Sequence, residues 1–360
     1  MTRVLFFLLR RAAAGVFTVW ALITIAFFVY WAIPYNEPAN IVYAQVPHKI
    51  LTAQQISSAH HLLGIDKPLL TQYGDYLWNL VHGNLGRAWS TYAQTPPGFP
   101  KPPAGTPVDT IRDDLSSELP VTLSILLGGA VLVLALAVPL GAIAGSRLRS
   151  LTDRTISLIA LIGICTHPMV IGLILRGIFG DHLHWVATGY CPITGTPQGF
   201  GGCNGVQDWA AHMVLPWITF ALLFLALYTR MVRASVAETM PEDYVRTARA
   251  KGASEYRIMT SHVLPNAALR ILTMIGMEIG TAIGVCVYIE SAYNMPGLAN
   301  ASIGAMLGLD LPAILGVVVA TTLIVVIGNL VVDALYAVID PRIRFNIERT
   351  RSKSLAGGVI

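Results

Sequence analysis

Residues Glu242 to Asn266 read EDYVRTARAKGASEYRIMTSHVLPN, a polar and basic stretch set between strongly apolar runs. Thr239 suits a helix cap and Pro241 a first turn, while Glu242 and Asp243 fall at the positive end of the adjoining helix. Arg249 and Lys251 fall at its negative end, and Gly252 is placed to stop it with positive φ, a conformation glycine adopts cheaply. A second short helix is expected to start at Ser254 and to break near Pro265, whose ring removes a helical hydrogen bond. The pattern predicts a helix, a glycine turn and a second helix outside the membrane. Two readings of such a knob stand level on physical grounds: a handle gripped by another protein, or a basic amphipathic segment resting on anionic lipid.

The flanking runs set the fold class. Hydrophobic residues make up 54% of the chain and charged ones 12%, and the mean hydropathy is +0.61, far from a soluble domain and typical of a polytopic membrane protein. About twenty apolar residues cross the hydrocarbon core as a helix. Six runs qualify: Ala12 to Ile33, Leu119 to Gly145, Thr155 to Phe179, Met213 to Tyr228, Ala267 to Ile289 and Pro312 to Ile339, the fourth being the shortest. The basic connectors, with Arg3, Arg10 and Arg11, then Arg147, Arg149 and Arg154, then 230–257, then 342–353, all fall on one side. Connectors Asp181 to His212 and Ser291 to Leu311 contain no Lys or Arg. The positive-inside bias therefore predicts both termini in the cytoplasm. The first run is too long for a signal peptide and lacks a small-residue cleavage site, so a retained span is expected. The same bias explains the net charge of +4, and a nucleic-acid partner is discarded.

Between the first two spans lie roughly eighty residues, 34–118, too polar for lipid and too many for a simple connector. They predict an extracytoplasmic subdomain. Thr52 caps one helix running to Leu63, and Pro68 opens another ending near Gly83, with Leu69, Leu70, Tyr73, Leu77 and Leu80 facing the first helix or the membrane domain. The stretch Pro96 to Pro107 reads as an extended surface loop. Cys191 and Cys203 share one extracytoplasmic loop, where oxidation is permitted, so they are a disulfide candidate with two free thiols as the alternative. Cys165 and Cys286 lie in spans as small buried hydrophobes. His182, His184 and His212 lack compact ligand spacing, and no metal site is expected. His167-Pro168 marks a kink.

No Lys follows a Gly, so the chain has no GxxxxGK[ST] phosphate loop, and HExxH and GxSxG motifs are missing too. No catalytic residues and no bound cofactor are expected. Glu278 falls in the middle of the fifth span, where a carboxylate is costly and a candidate for the substrate path by default. Its alternatives are a structural pairing, for example with Arg176, or a protonated carboxyl at a helix interface. Glu290 lies near the outer end of the same span as a gating or structural group, and Arg176 can snorkel to the interface.

The segment at 242–266 resembles the EAA motif of ABC-transporter membrane subunits. Ala248 and Gly252 keep the spacing and Leu264-Pro265 closes it, while Thr247 and Arg246 replace the usual Ala and Glu. The YVRTARAKG form is similar to that of the peptide-transport branch. Further matches are Gly83-Asn84-Leu85-Gly86 with Ser90, Pro107-Val108, Glu290, Asn294-Met295-Pro296-Gly297-Leu298, Asn329-Leu330, Asp333, Tyr336 and Asp340-Pro341-Arg342, so the resemblance covers nearly the whole chain. Departures are the 96–107 loop, Ala299 in place of a second glycine, and the Cys191 to Cys203 loop.

The resemblance implies the type I transmembrane-domain fold of ABC importers. It divides the chain into an N-terminal span at 1–35, an extracytoplasmic subdomain at 36–117, a five-helix permease core at 118–345 with coupling helices near 242–264, and a tail at 346–360. It implies a permease subunit in the bacterial inner membrane for dipeptides or oligopeptides. Relatives carry haem or nickel complexes too. The implied partners are a second homologous permease, two ATPase subunits that hold ATP and magnesium, an extracytoplasmic substrate-binding protein and membrane lipid. Tyr244, Arg246, Thr247, Ala248, Arg249, Lys251, Gly252, Leu264 and Pro265 would carry coupling by docking. The competing class is an ion-coupled secondary transporter using Glu278 and Asp333. Inverted halves, the common mark of that class, are not obvious in the sequence.

Overall fold

A computed structural model of the chain describes residues 2–36, 67–86, 88, 110–192 and 205–339. The expected helix at Thr52 to Leu63, the 96–107 loop, Ser90, Pro107-Val108, Cys203, Asp340-Pro341-Arg342 and the 346–360 tail lie outside these residues. The described elements are helices: α1 Thr2–Asn36, α2 Leu69–Val81, α3 Ile111–Ser146, α4 Leu151–Cys165, α5 Pro168–Leu175, α6 Val206–Thr239, α7 Asp243–Ala250, α8 Glu255–Ile258, α9 Leu264–Tyr293, α10 Leu298–Leu307 and α11 Leu311–Ile339. π-helical turns at Arg176–His182 and Met259–Val263 follow α5 and α8.

Among the described residues, five stretches are long and apolar enough to cross a membrane: Leu9–Tyr30, Ile111–Ser146, Val206–Thr239, Glu255–Tyr293 and Leu311–Tyr336. The run expected at Met213 to Tyr228 is the middle of a much longer helix, because Pro216 sits inside α6 without ending it. The run expected at Thr155 to Phe179 is broken. Thr166 is extended (φ −102°, ψ 133°), and His167 caps α5, its Nδ1 accepting the Met169 N–H. Pro168 has no N–H and pushes its predecessor out of the helical region, so it starts a helix here instead of continuing one.

The chain divides into two compact units. One holds Met1–Ala14, Leu123–Met295 and Val325–Ile360. In it α3 and α6 approach closely along glycines of α3: a Cβ at Gly141 would fall 2.6 Å from the Val232 side chain, and one at Gly145 2.7 Å from the Arg233 carbonyl. Small residues at a helix contact let backbones close, the usual solution where lipid supplies no hydrophobic drive. The Trp217 indole N–H adds a 2.8 Å bond to the Ser124 carbonyl. At one end of α9, Arg176 donates to the Ala292 carbonyl at 2.9 Å, and the Tyr293 and Thr219 hydroxyls share a buried 2.9 Å bond. Asn294 ends α9 in the left-handed region (φ 53°), and Met295 N–H returns to the Glu290 carbonyl at 2.8 Å.

The second unit holds Gly15–Thr122 and Pro296–Ile324. Among the described residues its core shows two clusters. Phe27 of α1 packs with Leu311, Ile314 and Leu315 of α11 and with Leu69, Tyr73 and Tyr76 of α2. Ile111 and Leu115 of α3 meet Leu298 and Val317, and the Thr122 hydroxyl accepts the Leu298 N–H at 3.0 Å. α2 begins after Pro68, as expected, but Leu70 faces outward and is 76% exposed.

Candidate functional site

The polar segment at 242–266 forms a compact helix–turn–helix between α6 and α9. α6 runs to Thr239, whose hydroxyl donates to the Ser235 carbonyl inside the helix and does not cap α7. Thr239 is the last residue of α6 and stands three residues ahead of the N-cap position of α7, so its side chain is not placed to accept the first N–H groups of that helix. The N-cap of α7 is Glu242, in extended conformation and without a side-chain hydrogen bond. Gly252 adopts φ +81° and ends the helix, with its N–H on the Arg249 carbonyl at 3.0 Å and the Ala253 N–H on the Ala248 carbonyl at 3.2 Å. Ser254 caps α8 by accepting the Arg257 N–H.

The expected break at Pro265 does not occur. Pro265 stands in the first turn of α9, and helical structure is continuous from Glu255 to Tyr293. A π turn widens the helix just ahead of Pro265, which accommodates its ring and its missing N–H.

The underside of the knob is apolar. Val245, Ile258 and Val263 are fully buried with Val232 and Val236 of α6 and Ala142 of α3, and Ala248, Ala253 and Leu264 pack against them. Burying three such side chains contributes several kcal/mol, at about 1.5–3 kcal/mol each, enough to hold α7 and α8 on the bundle rather than trailing from it. The outer side is polar. Tyr244, Arg246, Thr247, Arg249, Lys251, Gly252 and Pro265 are exposed. Arg249 makes a two-pronged bond to Glu255, Nε to Oε1 at 2.7 Å and Nη2 to Oε2 at 3.1 Å, which ties α7 to α8 across the glycine turn. That bond favours the carboxylate form, so Glu255 titrates below the usual Glu range. The Tyr244 hydroxyl accepts from Asn266 Nδ2 at 2.5 Å, tying α7 to α9.

All nine expected docking residues thus belong to one compact feature, with Ala248 and Leu264 turned toward its core. The sequence reading missed Glu255 and the three anchors Val245, Ile258 and Val263. Apolar positions inside an otherwise basic segment were the available signal.

The remaining candidates are dispersed. Glu278 is half-buried in α9. The Arg176 guanidinium bonds the Ala292 carbonyl and lies 3.6 Å from Asp181, so it is engaged by groups other than Glu278. Glu290 is fully buried. Asp333 is paired with Arg11 at 3.3 Å, an existing counter-ion that an imported cation would have to displace. Cys191 is buried and disulfide-bonded, and Cys286 is a free buried thiol. Among the described residues no cluster of three His, Cys, Asp or Glu could hold a metal ion.

Long apolar helices with a compact polar helix–turn–helix anchored on one connector define a multi-pass membrane component. Residues 137–345 match the family described as binding-protein-dependent transport system inner membrane component, and residues 4–126 match its N-terminal region. The chain belongs to this family. It is 32% identical over 336 residues to a protein of Brucella ovis named as a peptide permease, covering 93% of this chain and 98% of that one. It is 31% identical over 340 residues to a peptide ABC transporter permease of Sinorhizobium fredii, covering 94% and 99%. An oligopeptide transport system permease of Bacillus subtilis is 32% identical over 282 residues, 78% of this chain and 83% of its own. The protein is a transport component of the bacterial plasma membrane.

Proposed function

We propose that this chain is the permease subunit of an ATP-driven peptide importer and forms half of its translocation path. A second permease would supply the other half, two ATPase subunits would bind ATP and magnesium, and an extracytoplasmic binding protein would deliver cargo. The names of the relatives favour dipeptides or oligopeptides over haem or nickel complexes. In this reading α4 and α5 act together as a sixth span, both termini are cytoplasmic, and the helix–turn–helix docks into the ATPases.

The observation that supports the reading best is the two-sided construction of the knob. Its underside shares one core with α3 and α6, while Tyr244, Arg246 and Lys251 face outward. A force applied to the outer face reaches α6 and α9 through packed side chains, whereas a segment merely resting on lipid needs no such anchoring. Coupling is then mechanical. ATP-driven closure of the partners rocks the spans and alternates the access of the path.

Gly252→Val tests this. No neighbour lies within 4 Å of a Cβ there, so the change adds backbone strain without a clash. A left-handed β-branched residue costs about 1–2 kcal/mol, and each 1.4 kcal/mol of lost docking is about tenfold. ATP-dependent peptide uptake into proteoliposomes should fall on the order of tenfold while the subunit still inserts and co-purifies with its partners. Undiminished uptake would sink the docking role.

A further inference from the structure

The side chain that the knob presents most fully is absent from its expected docking set. Tyr256 of α8 is 80% exposed, while Ile258, two residues on, is fully buried in the knob's core. Two residues turn an α-helix by about 200°, so the burial of Ile258 aims Tyr256 away from the bundle. Tyr244, the knob's other tyrosine, is 44% exposed and its hydroxyl is taken by Asn266.

Local bonds hold the turn that carries Tyr256. Ser254 caps α8 by accepting the Arg257 N–H, and the Arg249 guanidinium places both prongs on Glu255, the residue before Tyr256. Arg249 and Glu255 therefore neutralise each other within the knob. Lys251 and Arg257 are exposed and form no ion pair among the described residues, and Arg246 reaches Asp243 at 3.9 Å. The ring thus stands alone in a polar rim with unpaired positive charge. That is the anatomy of an interface anchor, because tyrosine is enriched among the few residues that dominate binding and a polar rim around them excludes water.

Lipid is the poorer fit. An interfacial helix keeps an apolar stripe on its outer side, but Val245, Ile258 and Val263 are all turned into the core. Glu242, Asp243 and Glu255 are exposed carboxylates, which an anionic bilayer repels.

We infer that Tyr256 anchors the knob in the ATPase subunit, entering an apolar pocket whose acidic rim faces Lys251 and Arg257. The anchor rests on the docking proposed above, and it places the main contact on a residue outside the nine expected from the sequence. Arg249, one of the nine, has its charge engaged by Glu255 instead.

The test uses the full-length chain with its co-expressed partners. A benzophenone amino acid replacing Tyr256 is irradiated in native membranes, and its adduct is identified by mass spectrometry. The expected adduct is the ATPase subunit. Tyr256→Ser and Tyr256→Phe are then placed in proteoliposomes, stripped of the ATPase subunits and titrated with them, with ATP-dependent peptide uptake as the readout. Tyr256→Ser should raise the half-saturating ATPase concentration about tenfold, while Tyr256→Phe keeps the ring and should titrate as the wild type does. Neither variant should shift the melting temperature of the stripped permease, because an exposed ring contributes little to the fold. A shift would make the effect structural and overturn the anchor. An adduct with lipid or with this chain itself, or a Tyr256→Ser titration that matches the wild type, overturns it too. A neutral Tyr256→Ser beside an impaired Gly252→Val would remove the anchor and leave docking standing, whereas undiminished uptake in both would remove the docking as well.

Discussion

Asp153 is a tightly held charged residue outside the apolar runs. It stands in the first turn of α4, ahead of the run that begins at Thr155, and it is buried. Arg233 of α6 grips both its oxygens, with Nη2 to Oδ2 at 2.8 Å and Nε on Oδ1, and the Arg149 N–H adds a 2.9 Å bond. The Arg233 bonds lead in holding its carboxyl down at about 2, against an ordinary 3.8. Asp153→Asn leaves the guanidinium without its counter-ion. Breaking a fully buried pair costs about 3–5 kcal/mol, but the Arg233 side chain is 33% exposed, so about 1–3 kcal/mol is expected after solvent screening. Thermal unfolding of the purified complex measures it. A depressed carboxyl sets the sign of the pH dependence: the stabilisation is fully present above the ordinary value and is lost as pH falls through about 2. The gap between wild type and Asp153→Asn should hold at pH 5 and close on acidification toward pH 2. A gap that persists at pH 2 would mean that the carboxylate charge is not its source.

At the scale of elements, proline and glycine each appear in contrasting settings, and the contrast marks how far the sequence could be read. Pro168 was expected to kink its span and does break it, because Thr166 is free to become extended. Pro265 was expected to break its helix and does not, because the preceding turn is π-helical and leaves Leu264 helical at ψ −35°. A single sequence carries no clear signal for a π turn, so that outcome was not legible. The glycine turn at Gly252 and the Ser254 cap were legible, since each depends only on local conformation. Glu255 was not, because its partner Arg249 lies across the turn. Two helix-interior glycines separate conformational preference from packing. Alanine for glycine in a helix stabilises by about 0.5–1 kcal/mol where nothing opposes it. Gly74 of α2 has nothing within 4 Å of its missing Cβ, so Gly74→Ala should raise the melting temperature. At Gly145 the Cβ would meet the Arg233 carbonyl at 2.7 Å and Val236 at 2.8 Å. Backbone cannot swing aside as a side chain does, and overpacking costs about 1–3 kcal/mol, so Gly145→Ala should lower it. Equal shifts from the two variants would show that the α3–α6 contact is looser than the geometry states.

For the whole molecule the open quantity is the parity of membrane crossings. The helical class and most spans were readable because about twenty apolar residues have few other fates. The segment from α4 to the π turn is different, for each of its parts is too short to cross alone. In series, residues 151–182 hold about 40 Å of helical rise, more than the roughly 30 Å of the hydrocarbon core. Charge agrees with a crossing: Arg147, Arg149 and Arg154 lie before the apolar part, while residues 181–212 contain no Lys or Arg. Extended backbone such as that at Thr166 is tolerated at membrane depth only where protein covers it or it lines an aqueous path. Arg147 and Trp185 are both exposed and flank the segment. Arg147→Cys and Trp185→Cys, in a background without other reactive thiols, should therefore react from opposite sides with a membrane-impermeant maleimide. In intact spheroplasts Trp185→Cys should label and Arg147→Cys should label only after permeabilisation. Labelling of both from one side would make α4 and α5 a re-entrant pair. Among the described residues only α6 lies between Trp185 and the 242–266 knob, so labelling of Arg147→Cys alone from outside would turn that knob away from the cytoplasmic ATPases and remove the proposed coupling.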